Sequence, residues 1–327
     1  MITLGIETSC DETSAAVVKD GCKVLANEVV SSLKFHKKYG GVIPEIASRL
    51  QLETISEVTQ SAIEEARVKL KDIDLISVTS GPGLLGSLLV GISFAKVLSF
   101  SLNIPLLGVN HVHSHFYANF LNRENIKLPF VALVVSGGHT SLFYLSDFDK
   151  IELLGLTSDD ACGEAFDKVA KILNLGYPGG PLIEKLALKG DPKSIKFNCY
   201  GSKNGLDFSF SGIKTAVLYC VNNKKISISK KQDICASFQD AVVDTLVKKA
   251  VLACKSKKAN RLLLGGGVVA NNYLREKFTQ AAVDYNLNCY FPVKEFCMDN
   301  AAMVAGLGSQ LFRKGHKSDL YLNLDLD

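Results

Sequence analysis

The outline of the opening of this chain occurs again in its middle, and that repetition constrains the fold more than any single motif. Residues 2–8 run apolar as a strand, residues 9–13 are a polar turn carrying two acids, and residues 15–18 resume the apolar run. Asp20-Gly21 is a second turn signal, and residues 22–30 form a third strand. Residues 130–135, the turn Ser136-Gly137-Gly138-His139-Thr140 and residues 141–145 restate the hairpin, with residues 151–156 as its third strand. Helices and strands alternate after each meander. The first copy continues with a basic loop at 34–38, then a helix from Pro44 to about Leu70 with Ile46, Leu50, Ile55 and Val58 on one face. A strand at 73–79, a helix from near Leu84 and a strand at 106–109 follow. The second copy has helices at 163–173, 180–188, 211–221 and 232–254, strands at 261–264 and 289–292, and a last helix at 300–312. The pattern predicts an α/β fold of two similar lobes facing each other across a cleft, with the site between the copies. The boundary is expected within residues 122–128: lobes 1–122 and 123–298, with 299–327 packing back on the first.

A chain of 327 residues exceeds one ordinary core, and 47% hydrophobic with 21% charged residues describes a globular protein rather than a disordered one. The net charge of +4 neither demands nor opposes a nucleic-acid partner. Nine cysteines occur with no C-x-x-C pair, which excludes a zinc ribbon and suits a reducing cytoplasm. No basic leader with an apolar run opens the chain, so no secretory signal is expected. Residues 83–109 resemble a membrane span, but Lys96, four serines and Pro105 favour a buried helix followed by a strand.

His111-Val112-His113-Ser114-His115 holds the densest metal-binding capacity. On a helix His111 and His115 share a face, while His113 is turned away by about 200°. The two imidazoles can share a cation or simply line a polar face. Asp299 opens the last helix, where a carboxylate serves either as a cap or as a third ligand. Ser136-Gly137-Gly138 and Gly265-Gly266-Gly267 each follow a strand, where backbone N–H groups can approach a phosphate, although Ser-Gly-Gly equally makes a plain turn. No G-x-x-x-x-G-K-[ST] occurs, which excludes a P-loop ATPase. Asp167, near the start of a helix, is either a ribose ligand or a first-turn dipole partner, and Asn271 or Asn272 caps the helix after the glycine run. Asp11 and Glu12, at the tip of the first hairpin, are candidate bases or solvated turn acids. The lysines at 34, 37 and 38, and at 224, 225, 230, 231, 255, 257 and 258, are solvated faces of which a subset can meet phosphates.

Gly5-Ile6-Glu7-Thr8-Ser9-Cys10-Asp11-Glu12-Thr13, Val42-Ile43-Pro44-Glu45-Ile46-Ala47-Ser48-Arg49, the H-x-x-x-H at 111–115, Val135-Ser136-Gly137-Gly138-His139-Thr140, residues 163–168, residues 265–271 and Met298-Asp299-Asn300 together resemble the TsaD family. Its members are bacterial tRNA N6-adenosine threonylcarbamoyltransferases, once labelled glycoproteases. The resemblance runs through nearly the whole chain in a fixed order. It implies the two-lobed fold of actin, sugar kinases and Hsp70, and transfer of the threonylcarbamoyl group of threonylcarbamoyl-AMP to N6 of adenosine 37 in tRNAs reading ANN codons. By this resemblance His111, His115 and Asp299 hold a divalent metal, Fe(2+) in preference to Zn(2+). Val134, Val135, Ser136, Gly137, Gly138, Asp167, Gly180 and Asn271 hold the adenylate, with Glu184 a further candidate for the ribose, and Asp11 and Glu12 are the acid/base candidates. The implied partners are tRNA, a TsaB-like paralogue in a heterodimer and a TsaE-like ATPase, all cytoplasmic.

This sequence departs from the family at Ser114, where glycine or alanine is frequent, at His113 (glutamate), at Val134 (tyrosine in archaeal relatives) and at Gln51 (histidine). None removes a carried-over ligand. Three rivals are weighed against the transferase. A zincin peptidase needs H-E-x-x-H and finds Val112 in place of the glutamate. A small-molecule kinase of the same fold has no use for H-x-x-x-H, and a non-catalytic scaffold would lack the metal residues.

Overall fold

Strand β1 (Ile2–Glu7) is buried on both faces, because it lies in the middle of its sheet with helices packed against it, and only Ile2 is part-exposed. The computed structural model describes residues 1–123, 126–199, 205–221 and 226–325. The chain divides into two units, Met1–Ile126 with Pro292–Asp327, and Lys127–Phe291.

In the first unit β1 pairs antiparallel with β2 (Glu12–Lys19), and β2 with β3 (Lys23–Ser31). The turn between β2 and β3 uses Asp20 and Gly21, both at positive φ, as an Asp-Gly hairpin should. The basic stretch expected as a loop is instead a short helix, α1 (Leu33–His36), and a 3-10 turn, Lys37–Tyr39, ended by Gly40 in the left-handed region. Buried His36 folds it, with one ring nitrogen 2.8 Å from the Ser32 hydroxyl and the other accepting from the Ile43 N–H. Helix α2 (Pro44–Glu65) ends short of Leu70 because Arg67 turns the chain at φ 55. Its buried face is Ala47, Gln51, Ile55, Val58, Thr59 and Ala62, so the expected Ile46 and Leu50 lie at its margin, only half-buried.

β4 (Leu75–Gly81) and β5 (Leu106–Asn110) add parallel to β1, giving the order β3-β2-β1-β4-β5. Helix α3 (Leu85–Leu102) joins them. It is long and apolar enough to cross a membrane, and against expectation it is buried on one face only. Leu88, Ile92 and Ala95 enter the core, while Leu85, Leu89, Val97 and Phe100 face outward, the last 75% exposed. Leu89 and Val97, with Leu52, border an apolar groove of about 440 Å³ between α2 and α3. Helix α4 (His111–Tyr117) follows β5 directly and is capped by Asn110, whose side chain accepts from the His113 N–H. The final helix, α10 (Ala301–Arg313), packs on this sheet. Beyond it the chain returns along β5: the Ser318 N–H donates to Leu106 O, Gly108 N–H to Ser318 Oγ, and Asp325 N–H to Ser80 O, while Leu322 and Leu324 join the core.

The second unit repeats the scheme with β6 (Phe130–Val135), β7 (Thr140–Asp147) and β8 (Lys150–Leu156) as the meander. Helices α5 (Cys162–Ile172), α6 (Gly179–Ala187), α7 (Ser211–Val221) and α8 (Ile228–Lys257) intervene before β9 (Arg261–Gly265), α9 (Asn272–Asp284) and β10 (Asn288–Tyr290). β9 and β10 run parallel to β6, in the order β10-β9-β6-β7-β8. Read from the third meander strand, this is the order of the first sheet, so the duplicated α/β topology expected from sequence is present. In each unit the loops leaving the parallel strands gather at one end of the sheet, the end where such sheets bind ligands.

Candidate metal and nucleotide sites

In the first unit, β1 ends at Glu7, β4 at Gly81 and β5 at Asn110, and their loops assemble one group of side chains. His111 and His115 sit one turn apart on α4 with ring centroids 4.7 Å apart, and Asp299 joins them from just before α10. One nitrogen or oxygen from each of the three lies within 4.8 Å of the others. Of the two roles open to Asp299, helix cap or third ligand, the cap is not its own. Asn300 does that work, its side chain accepting from the Met303 N–H, which leaves the Asp299 carboxylate for the histidines. Asp299 Oδ1 lies 3.3 Å from His115 Nε2 and 3.8 Å from His111 Nε2.

Two observations test whether these residues fit a cation. His115 is fully buried, yet neither of its ring nitrogens has a hydrogen-bond partner. A buried polar atom left so costs about 1–3 kcal/mol, which a metal–nitrogen bond offsets. His111 is oriented from behind by Glu7, a carboxylate with no solvent exposure whose Oε2 lies 2.9 Å from His111 Nδ1. With Nδ1 so engaged, Nε2, on the Asp299 side, is the nitrogen left for a cation once its proton is displaced, the carboxylate–histidine arrangement of metal sites. The Ser9 N–H at 2.5 Å and the Thr79 hydroxyl at 2.6 Å hold Glu7 in turn. Burial alone would lower the His111 pKa, but Glu7 and Asp299 raise it to about 9. Burial would likewise raise Glu7, but His111 and Thr79 hold it below the usual carboxylate range. The residues fit a divalent cation. His113 stands outside the group, with its pKa pushed down to about 4 by burial.

Asp11 and Glu12 are half-buried beside these ligands rather than solvated turn acids. Burial, then the Asp299 and Asp11 carboxylates, push Glu12 well above the usual range. Gln51 braces their loop, its Nε2 donating to the carbonyls of Cys10 at 3.0 Å and Glu12 at 2.9 Å. Sequence reasoning passed over Glu7 and Thr79. The available signal was an acid ending an otherwise apolar buried strand, where a charge needs a partner.

In the second unit Val134 and Val135 are buried in β6, and Ser136, Gly137 and Gly138 form the turn after it. Neither turn glycine has positive φ, and a Cβ added at either would meet nothing within 4 Å. Backbone geometry therefore does not demand them, and the space beside both is open. Gly180, in the first turn of α6, is equally open. Gly266 is the opposite case: its φ is +96, and a Cβ there would strike the Val135 carbonyl, which lets the β9 loop lie against the end of β6.

Asp167 lies in the second turn of α5 rather than the first, and its Oδ1 accepts the Gly179 N–H at 2.6 Å, tying α5 to the start of α6. Glu184 Oε1 accepts from the Asn272 N–H and Nδ2 at 2.7 and 2.9 Å. Asn271, not Asn272, caps α9: its Oδ1 accepts from the Leu274 N–H while Nδ2 donates to Gln239 Oε1. Of the lysines singled out, Lys231 donates to the Leu173 carbonyl and Lys257 pairs with Glu152, whereas Lys224 and Lys225 lie outside the described residues.

The family model described as TsaD, tRNA N6-adenosine threonylcarbamoyltransferase, matches residues 23–306. The chain belongs to the TsaD family. A relative of that name in Clostridium kluyveri is 50% identical over 325 residues, covering 98% of this chain and 95% of the relative. Another, in Thermosipho africanus, is 52% identical over 320 residues, covering 98% and 97%. Among solved structures, HypF of T. kodakarensis superposes with a TM-score of 0.66 at 17% identity, covering 96% of this chain and 48% of that one. The ROK hexokinase of Thermus thermophilus gives 0.55 at 16%, covering 96% and 100%. At such identities these two show only the fold, that of the actin and sugar-kinase class. TsaD membership makes the protein a transferase of tRNA modification and removes the peptidase reading.

Proposed function

We propose that this protein transfers the threonylcarbamoyl group of threonylcarbamoyl-AMP to N6 of adenosine 37 in tRNAs that read ANN codons, releasing AMP. The observation that carries the reading is the His111–His115–Asp299 group, with both histidines buried, backed by Glu7, and with neither His115 nitrogen in a hydrogen bond. A scaffold paralogue would have no reason to maintain it, and a small-molecule kinase would not use it. In the reaction N6 attacks the carbamoyl carbon, the bond from that carbon to the phosphate oxygen breaks, and the N6 proton leaves.

The second unit is assigned the adenylate. The backbone N–H groups of Gly137 and Gly138, with open space beside both residues, would steady the phosphate as it departs, and Gly180 in the first turn of α6, with the Asp167 carboxylate of α5 tied to the neighbouring Gly179, would take the ribose. The first unit is assigned the acyl transfer. His111, His115 and Asp299 would hold a divalent ion, iron in preference to zinc, which supplies a Lewis acid for the carbamoyl oxygen. Asp11 and Glu12 are the candidate acceptors of the N6 proton.

The reaction belongs in the cytoplasm, with a TsaE-like ATPase as a transient partner. The apolar face of α2 and α3, with Leu52, Leu89, Val97 and Phe100 exposed, is where the TsaB-like paralogue would sit, since so apolar a surface favours burial.

The experiment is reconstitution with these partners, threonylcarbamoyl-AMP and unmodified ANN-decoding tRNA, followed by nucleoside mass spectrometry. Threonylcarbamoyladenosine made by the parent and lost with His111→Ala is expected. No product, when the same partners modify tRNA with another family member, would end the transferase reading.

A further inference from the structure

The segment that sequence reasoning took for a basic loop has an unusual surface. Of residues 34–40 all but one are exposed, and they include Lys34, Phe35, Lys37, Lys38 and Tyr39. Residues 32–43 contain no acid, and none of the three lysines makes an ion pair among the described residues, unlike Lys257. Phe35 and Tyr39 are 41% and 51% exposed, so two aromatic rings are held in water. Lys34 Nζ sits 5.0 Å from the Phe35 ring centroid and Lys38 Nζ 4.9 Å from that of Tyr39, which sets a cation beside each ring.

The surface is held firmly from beneath. His36, wholly buried, bonds through both ring nitrogens, to Ser32 and to the Ile43 N–H. Ser32 donates to the Asp11 carbonyl through its N–H at 3.0 Å and its hydroxyl at 2.8 Å, and the Ser31 hydroxyl donates to Glu12 Oε1. The exposed lysines and rings are thereby fixed to the hairpin that carries the two candidate proton acceptors.

We propose that residues 33–41 form a docking surface for unpaired nucleotides of the tRNA substrate, an inference that rests on the tRNA-modifying reading above. Phe35 and Tyr39 offer stacking faces to bases, and Lys34, Lys37 and Lys38 meet the phosphates on either side. A duplex hides its base faces, so exposed rings among uncompensated lysines gain most from a single-stranded loop. Joined to Asp11 and Glu12, the surface would bring the bases flanking the modified adenosine to the reacting groups.

The test uses the full-length protein reconstituted with its partners, titrated with unmodified ANN-decoding tRNA and with the isolated anticodon stem-loop over a salt series. Replacing Lys34, Lys37 and Lys38 together by alanine should reduce the slope of log affinity against log salt by about 2, at roughly 0.7 for each single-strand phosphate. Phe35→Ala and Tyr39→Ala should each weaken both RNAs by about tenfold with the slope unchanged. Bound metal and thermal midpoint should hold in every variant, because the replaced side chains are exposed.

Variants that bind both RNAs like the parent overturn the proposal while leaving the transferase reading intact. So would aromatic variants that keep RNA affinity but lose co-elution with a partner protein, since the surface would then be a protein contact. A reconstituted parent that neither binds nor modifies tRNA defeats the reading and the proposal together.

Discussion

Replacing Glu7 by glutamine keeps the volume of a side chain with no solvent exposure and removes its charge. The parent carboxylate receives the Ser9 N–H on one oxygen and the Thr79 hydroxyl and His111 Nδ1 on the other. Glutamine retains a single acceptor oxygen, so its amide N–H₂ must face either the Ser9 N–H or the Thr79 and His111 donors. One buried donor is left without an acceptor, at a cost of about 1–3 kcal/mol. At about 2–4 °C per kcal/mol for units of this size, the thermal midpoint should fall by several degrees. The imidazole also loses the partner that fixes its tautomer, which lowers metal affinity by roughly 10–100-fold. The assay is chelator competition with Zn²⁺ or Co²⁺, run alongside thermal unfolding with and without metal. Weakened binding with a parallel loss of stability supports the argument. A Glu7→Gln protein with the parent's metal affinity would refute it, showing that His111 needs no support from behind.

Metal affinity should rise with pH up to about 9, near tenfold per unit where one proton is displaced, because Glu7 and Asp299 hold a proton on metal-free His111; titration across the range checks the slope. The same raised pKa gives the metal-free protein stability that is complete below about 6.5 and lost as pH rises through about 9, which chemical denaturation at several pH values will show. Gly138→Ala should fold with an unchanged thermal midpoint and weaken AMP binding, whereas Gly266→Ala should lower the midpoint, since only the latter has positive φ and a carbonyl in the way. Asp240, whose burial is outweighed by Lys193, Lys277 and Tyr273, is held at about 2; Asp240→Asn should remove stability present above about 3.8 and lost as pH falls toward 2, measured by acid unfolding. Leu89→Glu with Val97→Glu should abolish co-elution with the TsaB-like paralogue and leave metal content intact.

Most of the strand framework was legible because periodicity reports burial directly. β6 was placed to the residue, since six consecutive apolar positions between turn signals permit little else. The H-x-x-x-H spacing correctly set His111 and His115 on one helical face. Local pattern failed where a distant partner decides. Nothing near residue 36 announces that its imidazole will be buried between Ser32 and Ile43 and turn a basic loop into helix. Asp299 could be either a cap or a third ligand in the sequence, because an acid before a helix suits both, and only the structure shows Asn300 in the capping role. Helix α3 read as a core helix because its hydropathy cannot distinguish a face turned to the core from one left uncovered.

The return of the chain along β5 has a consequence for self-association. β5 is the outer strand of its sheet, and an open strand edge is a template on which a second copy can align and propagate. Here Ser318 occupies the Leu106 carbonyl and the Gly108 N–H, and Leu322 covers the glycine beside them. The molecule thus supplies its own stopper at that edge, attached to the same polypeptide and therefore present at high local concentration. Breaking those contacts by substitution at Ser318 would uncork the edge, and clumping of such a variant would reflect the open strand rather than instability of either unit.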